Sequence, residues 1–197
     1  MTIKINHIKF SIFSSFILLF VIGVTLSSFK ITNTTNKKML SPKSTVPSVA
    51  IKTLKNQTVN IQETLNKEGY TIISFWATWC KPCISELSAI NDEYIDWQEE
   101  TGVKVVAISV DDARSKNRIP TIVNGKNWAF EVYSDENSDL KRALNVQNVP
   151  HTFIVNAEGE IVWQHTSYNP GDEAHYIEFI KEELAKQKDD NIDSDKN

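Results

Sequence analysis

The segment Tyr70–Trp76 (YTIISFW) is a nearly continuous apolar, β-branched run, and two cysteines, Cys80 and Cys83, follow it within a few residues. Such a run is what a central strand covered on both faces requires. From Cys83 to Glu100 the apolar residues Ile84, Leu87, Ile90, Tyr94, Ile95 and Trp97 recur near helical spacing, and Gly102 closes the segment. A buried strand therefore hands over to a helix at the cysteine pair. Any fold of this chain must seat two thiols at that joint.

The flanking patterns alternate in the same way. Val49–Leu54 and Gln57–Ile61, with Lys55 and Asn56 between them, read as a short hairpin. Val103–Val110 is a second central strand. Asp111–Ser134 is mixed, with Pro120, Gly125 and a short β-like piece at Phe130–Tyr133. Ser138–Leu144 reads as a short helix capped by Ser138 or Asn137. Val149–Val155 and Glu160–His165 flank a turn at Asn156–Gly159, a second hairpin. Asp172–Lys188 is a closing helix with an Ile177, Ile180, Leu184 stripe. This order predicts a three-layer α/β domain over residues 47–185. Residues 30–46 are polar and read as a flexible linker, and residues 186–197 as a solvated, disordered tail. A net charge of −4 argues against a nucleic-acid partner.

Residues 1–29 differ in kind. Phe10–Phe29 holds 20 residues without a charge, preceded by Lys4 and Lys9, and 20 helical residues span about 30 Å, one bilayer. A membrane anchor and a cleaved signal peptide both fit this pattern. Either sends the rest of the chain out of the cytoplasm, to the outer side of a bacterial cytoplasmic membrane or the periplasm.

A cysteine pair of this spacing is a metal half-site, a structural staple or a redox couple. Structural zinc needs four ligands, and no second pair exists; His151, His165 and His175 are scattered. No metal is expected. A bridge across so small a loop removes little entropy from the unfolded chain, so a staple gains little. The redox reading uses every feature. Cys80 sits at a helix N-terminus, where the dipole and unpaired N–H groups favour a thiolate, and Lys81 adds positive charge. Pro82 falls in the first turn, where its missing N–H is harmless. Cys83, one turn deeper, is placed to resolve a mixed disulfide on Cys80.

Phe75–Cys83 (FWATWCKPC) resembles the active-site motif of the thioredoxin superfamily, in particular its TlpA/ResA-like branch. The resemblance implies a thioredoxin-like fold with a central mixed sheet, an N-terminal hairpin and a helix-strand insertion at Asp111–Ser134. Val149-Pro150-His151 resembles the family's cis-proline loop, which lies beside the cysteines. The backbone before that proline then pairs with a substrate peptide as an added strand. Trp79, Val149 and Pro150 are the expected substrate-binding residues, with Trp76 in the core. His151 is expected to line the docking groove. Plain thioredoxins carry a buried aspartate where this chain has Ser74. The TlpA/ResA-like branch instead uses a glutamate three residues after the second cysteine, which is Glu86 here. Cys80, Cys83 and Glu86 are therefore the expected catalytic set, and a solvated helix-face glutamate is the alternative for Glu86. Asp111 and Asp112 read as a turn with a helix cap rather than a cation site.

The implied function is a thiol-disulfide oxidoreductase outside the cytoplasm, reducing disulfides in exported proteins such as those of cytochrome c or copper-site assembly. No cofactor beyond the Cys80–Cys83 disulfide is expected. A membrane electron donor and a monomeric state are expected too. Two alternatives remain. A thiol peroxidase would place threonine three residues before a single reactive cysteine, whereas Thr78 lies two before Cys80. A non-catalytic peptide-docking module would not require both cysteines.

Overall fold

A computed structural model describes residues 44–194. The apolar segment Phe10–Phe29 and most of the linker lie outside the described residues. Within them, no helix is long and apolar enough to cross a membrane.

Seven strands build one mixed sheet: β1 (Ala50–Thr53), β2 (Thr58–Asn60), β3 (Thr71–Trp76), β4 (Lys104–Ser109), β5 (Glu131–Ser134), β6 (His151–Val155) and β7 (Ile161–Thr166). Their spatial order is β2-β1-β5-β4-β3-β6-β7. β3, β4 and β5 run parallel, and the remaining pairs are antiparallel. All six residues of β3 are buried, as its sequence predicts for a central strand.

Four helices follow: α1 (Lys81–Thr101), α2 (Ile119–Lys126), α3 (Asp139–Ala143) and α4 (Glu173–Ser194). On one face of the sheet, Leu87 and Ile90 of α1 and Tyr176 and Ile180 of α4 pack over Ile72, Trp76 and Val105. On the other face, Ile51, Ile61, Leu65 and Leu140 cover Ile73, Phe75, Val106 and Phe153. The three layers are as the sequence predicts, and α2 and β5 fill the segment where the resemblance implies a helix-strand insertion. α1 ends at Gly102, whose φ of 68° is left-handed and whose N–H returns to the Gln98 carbonyl.

Three boundaries differ from the sequence reading. The ordered domain begins before Pro47: Thr45 bridges Glu160, the Val46 N–H bonds the Gly159 carbonyl, and Val46 is 1% exposed. One valine in a polar stretch has no period to announce it. At the other end, α4 continues through Ser194, past Lys186, where a disordered tail was expected. Extending an existing helix adds one hydrogen bond per residue without a new nucleus, so no apolar stripe is needed. Gln187 also donates to the Tyr70 hydroxyl, 3.0 Å away. Finally, Ser138 adopts φ 57° and makes no side-chain cap. The Asp135 carboxylate takes that job, accepting from the N–H groups of Leu140 and Lys141 at 3.2 and 2.8 Å.

Val46 supplies the test of the corrected boundary. Val46→Ala removes buried methyl groups and should lower unfolding stability by about 2 kcal/mol in urea titration. A change within about 0.5 kcal/mol, the range of ordinary surface substitutions, would return Val46 to the linker.

Candidate active site

Helix α1 opens at the end of β3, and Cys80 is its N-cap. The Cys83 N–H points back to Cys80 Sγ at 3.3 Å, and the Ile84 N–H bonds the Cys80 carbonyl. Pro82 occupies the first turn and Lys81 is exposed. The two sulfurs form a disulfide with their Cα atoms 5.3 Å apart. They are unequal: Cys83 is fully buried, whereas Cys80 keeps 5% of its surface. An incoming sulfur reaches Cys80 first. The N–H aimed at Cys80 would stabilise a thiolate there once the bridge opens.

The loop before Cys80 is clamped from β4. Asp111 is buried and accepts from the Thr78 N–H (2.8 Å), the Thr78 hydroxyl (2.6 Å) and the Ser109 hydroxyl (2.7 Å). Asp112 accepts from Arg114 and Ser115 at the following turn. Asp112 thus organises the turn that its sequence context predicts, whereas Asp111 reaches back 33 positions to hold the Thr78 loop, which a turn-and-cap reading does not foresee.

Glu86 is the most unusual residue of the site. It lies three positions beyond Cys83 on α1, and its side chain is completely buried, so the solvated-glutamate alternative is excluded. Three hydroxyls converge on the carboxylate. Thr152 and Tyr176 each donate to Oε1 at 2.7 Å, and Ser74 donates to Oε2 at 3.2 Å. Burial pushes the Glu86 carboxyl above its ordinary pKa, while these hydrogen bonds pull it back part of the way. Tyr176 is raised in turn, first by its own burial and then by the charge of Glu86.

The remaining expected residues divide. Trp79 stands 63% exposed beside Cys80, and Trp76 is buried in the core. The Val149–Pro150 bond is cis. The Pro150 carbonyl accepts from the Ser167 N–H, and Val149 shares a hollow with Trp79. His151 does not join them. Thr152 points at Glu86, so its neighbour in β6 must point through the opposite sheet face. There the His151 ring stacks on Phe153 at 4.4 Å, with Gln164 and Thr166 at 3.3 Å. Its pKa is lowered, chiefly by burial. His151 is thus a neighbour of the site in sequence and lies across the sheet from Glu86.

Sequence reasoning missed Thr152 and Tyr176, which are 66 and 90 positions from Glu86. A signal existed for Tyr176. It lies next to the apolar stripe of α4, and a tyrosine buried among such residues needs a partner for its hydroxyl.

The AhpC/TSA family model matches residues 42–164. The chain belongs to the AhpC/TSA family. Thiol-disulfide oxidoreductase ResA of Oceanobacillus iheyensis is 27% identical over 76% of this chain and 78% of its own length. Sporulation thiol-disulfide oxidoreductase A of Bacillus subtilis is 28% identical over 59% of this chain and 69% of its own. The solution structure of an uncharacterized thioredoxin-like protein from Porphyromonas gingivalis superposes with a TM-score of 0.62 at 42% identity, covering 70% of this chain and 90% of that one. With a bonded cysteine pair at the helix start and relatives of these names, the chain is a thiol-disulfide oxidoreductase.

Glu86 yields a test that needs no substrate. Its carboxyl holds a proton more tightly folded than unfolded, so its contribution to stability is present in acid and is lost as pH rises through the folded-state pKa. Glu86→Gln removes that loss. In the disulfide form, where neither sulfur titrates, the stability of the variant relative to wild type should climb with pH above the ordinary glutamate range. Its slope should approach about 1.4 kcal/mol per pH unit at most. Parallel stability curves for the two proteins would show that burial does not perturb Glu86.

Proposed function

We propose that this thiol-disulfide oxidoreductase reduces disulfides in exported proteins, working on the outer side of the cytoplasmic membrane. The location rests on the uncharged segment Phe10–Phe29, as an anchor or a cleaved signal. The direction of chemistry rests on the resemblance to the TlpA/ResA-like branch, and the roles of attacker and resolver rest on one observation: the two sulfurs are unequally buried. Cys80, at a helix N-terminus, keeps 5% of its surface exposed, and Cys83 is sealed inside, one turn from a buried carboxyl.

The exchange runs in two displacements. The Cys80 thiolate attacks one sulfur of the substrate disulfide, forming a mixed disulfide and releasing the other substrate sulfur as a thiolate. Cys83 then attacks Cys80 Sγ, forming the intramolecular bridge and releasing the second substrate sulfur. Two electrons pass from the dithiol to the substrate. Cys83 must lose a proton in the second step, and Glu86 is the only ionisable group of the buried cradle suited to accept it near neutral pH. Trp79 and Val149 hold the substrate chain; Val149 makes no main-chain hydrogen bond among the described residues, leaving its N–H and carbonyl for an added strand. A dithiol donor at the membrane would restore the pair. Apoproteins awaiting haem or copper at cysteine pairs are the substrate class that the resemblance favours.

A peroxidase reading finds less support, because the Thr78 hydroxyl is committed to Asp111 and both cysteines are bonded to each other. A docking module without catalysis would not need a solvent-reachable sulfur backed by a buried one.

Cys83→Ala should accumulate mixed disulfides between Cys80 and exported proteins, visible as thiol-sensitive adducts on non-reducing gels. Cys80→Ala should show none. Equal trapping by both variants would reverse or abolish the assignment of attacker and resolver, and failure of the wild type to reduce insulin would remove the reductase reading itself.

A further inference from the structure

Trp79 stands between two open hollows of about 230 and 390 Å³, and both are also lined by Val110. Lys141 lines the first, together with Val149. Asp112, Arg114 and Arg118 line the second. The charges there do not cancel. Arg114 is spent on Asp112, with Nε at 3.0 Å and Nη2 at 2.7 Å from the same carboxylate oxygen. Arg118 and Lys141 have no carboxylate partner among the described residues. The acids nearest Lys141 in sequence are engaged elsewhere: Asp139 pairs with Arg142, Glu136 pairs with Lys116 and Lys52, and Asp135 caps α3. Lys81, exposed beside Cys80, adds a third positive charge. A chain of net charge −4 thus presents an unpaired cation on each side of the one tryptophan that stands in solvent next to its reactive sulfur.

We propose that this surface selects acidic substrates: the segment that crosses Trp79 carries carboxylates flanking its cysteine, and Arg118 and Lys141 recognise them. The inference rests on the disulfide-reductase reading and deepens it. A peptide strand added along Val149 puts the residues just before and just after its cysteine on one face, roughly 7 Å apart along the strand, so each reaches the hollow on its own side of Trp79. A cation in each hollow therefore reads charge on both flanks of the substrate sulfur. Opposite charges at an exposed rim act mainly on encounter and partner choice, and salt weakens them. The occupant is a protein segment rather than a small anion, because the two cations flank a large apolar ring instead of converging on one point.

The test uses three disulfides and the reduced full-length protein. Two peptides share an internal Cys-x-x-Cys bridge, one flanked by glutamates and the other by lysines; bis(2-hydroxyethyl) disulfide is the uncharged reference. At low ionic strength the acidic peptide should be reduced about fivefold faster than the basic one, a ratio in keeping with exposed pairs of this kind. The ratio should fall towards one at about 1 M salt, where the Debye length is near 3 Å. In the Arg118→Glu/Lys141→Glu protein the preference should invert. The uncharged disulfide reports the fold and dithiol chemistry of each protein, and the ratio of peptide rates is the readout. A ratio of one in the wild type, or a ratio that survives the double substitution, overturns the charge reading while leaving the reductase reading in place. Loss of activity on all three disulfides in the wild type overturns both.

Discussion

A carboxylate buried beneath the second cysteine is the constraint on which the rest of the structure turns. Removing a lone carboxylate from water is prohibitive, and even a well-bonded one raises its own pKa. Glu86 is tolerated because Ser74 of β3, Thr152 of β6 and Tyr176 of α4 all donate to it. Each partner comes from a different element, so the carboxylate ties the helix bearing the cysteines to two central strands and the closing helix. All three partners are hydroxyls, which can donate to a carboxylate and accept from a carboxylic acid. Amide donors would fit only the ionised form. A cradle of hydroxyls therefore keeps the carboxyl satisfied in either protonation state.

The first cysteine is served by local structure instead. Its stabilising group is the N–H of Cys83, and its loop is fixed by Asp111 through Thr78. One sulfur therefore depends on helix-end electrostatics that any strand-to-helix joint supplies. The other depends on four elements being assembled. Loosening α4 would disturb Tyr176 and Glu86 while leaving the environment of Cys80 nearly intact.

That division also explains what could be read from sequence. The β3-to-α1 joint, the two hairpins and the stop at Gly102 are written in local periodicity and turn residues, and all appear in the structure; the helix within 111–134 was expected only from the family resemblance. Glu86 was legible as a candidate, since helical spacing places it under Cys83, but spacing cannot say whether that face meets solvent or core. Thr152 and Tyr176 join the site only through tertiary contact. His151 is the instructive miss. Alternation along β6 already separates it from Thr152, and the facing was decided by which residue had a buried partner. Val46 was hidden for the reverse reason, being held by backbone contacts that leave no pattern in a polar sequence, and the end of α4 because a helix already begun propagates without an apolar stripe.

The opposed environments bear on the direction of electron flow. A helix-end N–H favours the Cys80 thiolate and so stabilises the reduced pair, which by itself makes a disulfide more oxidising. A carboxylate near Cys83 opposes a second negative charge and acts against that stabilisation, more strongly once the carboxyl itself has ionised. The raised pKa of Glu86 makes the balance depend on pH, because a neutral carboxyl exerts little opposition and an ionised one exerts much.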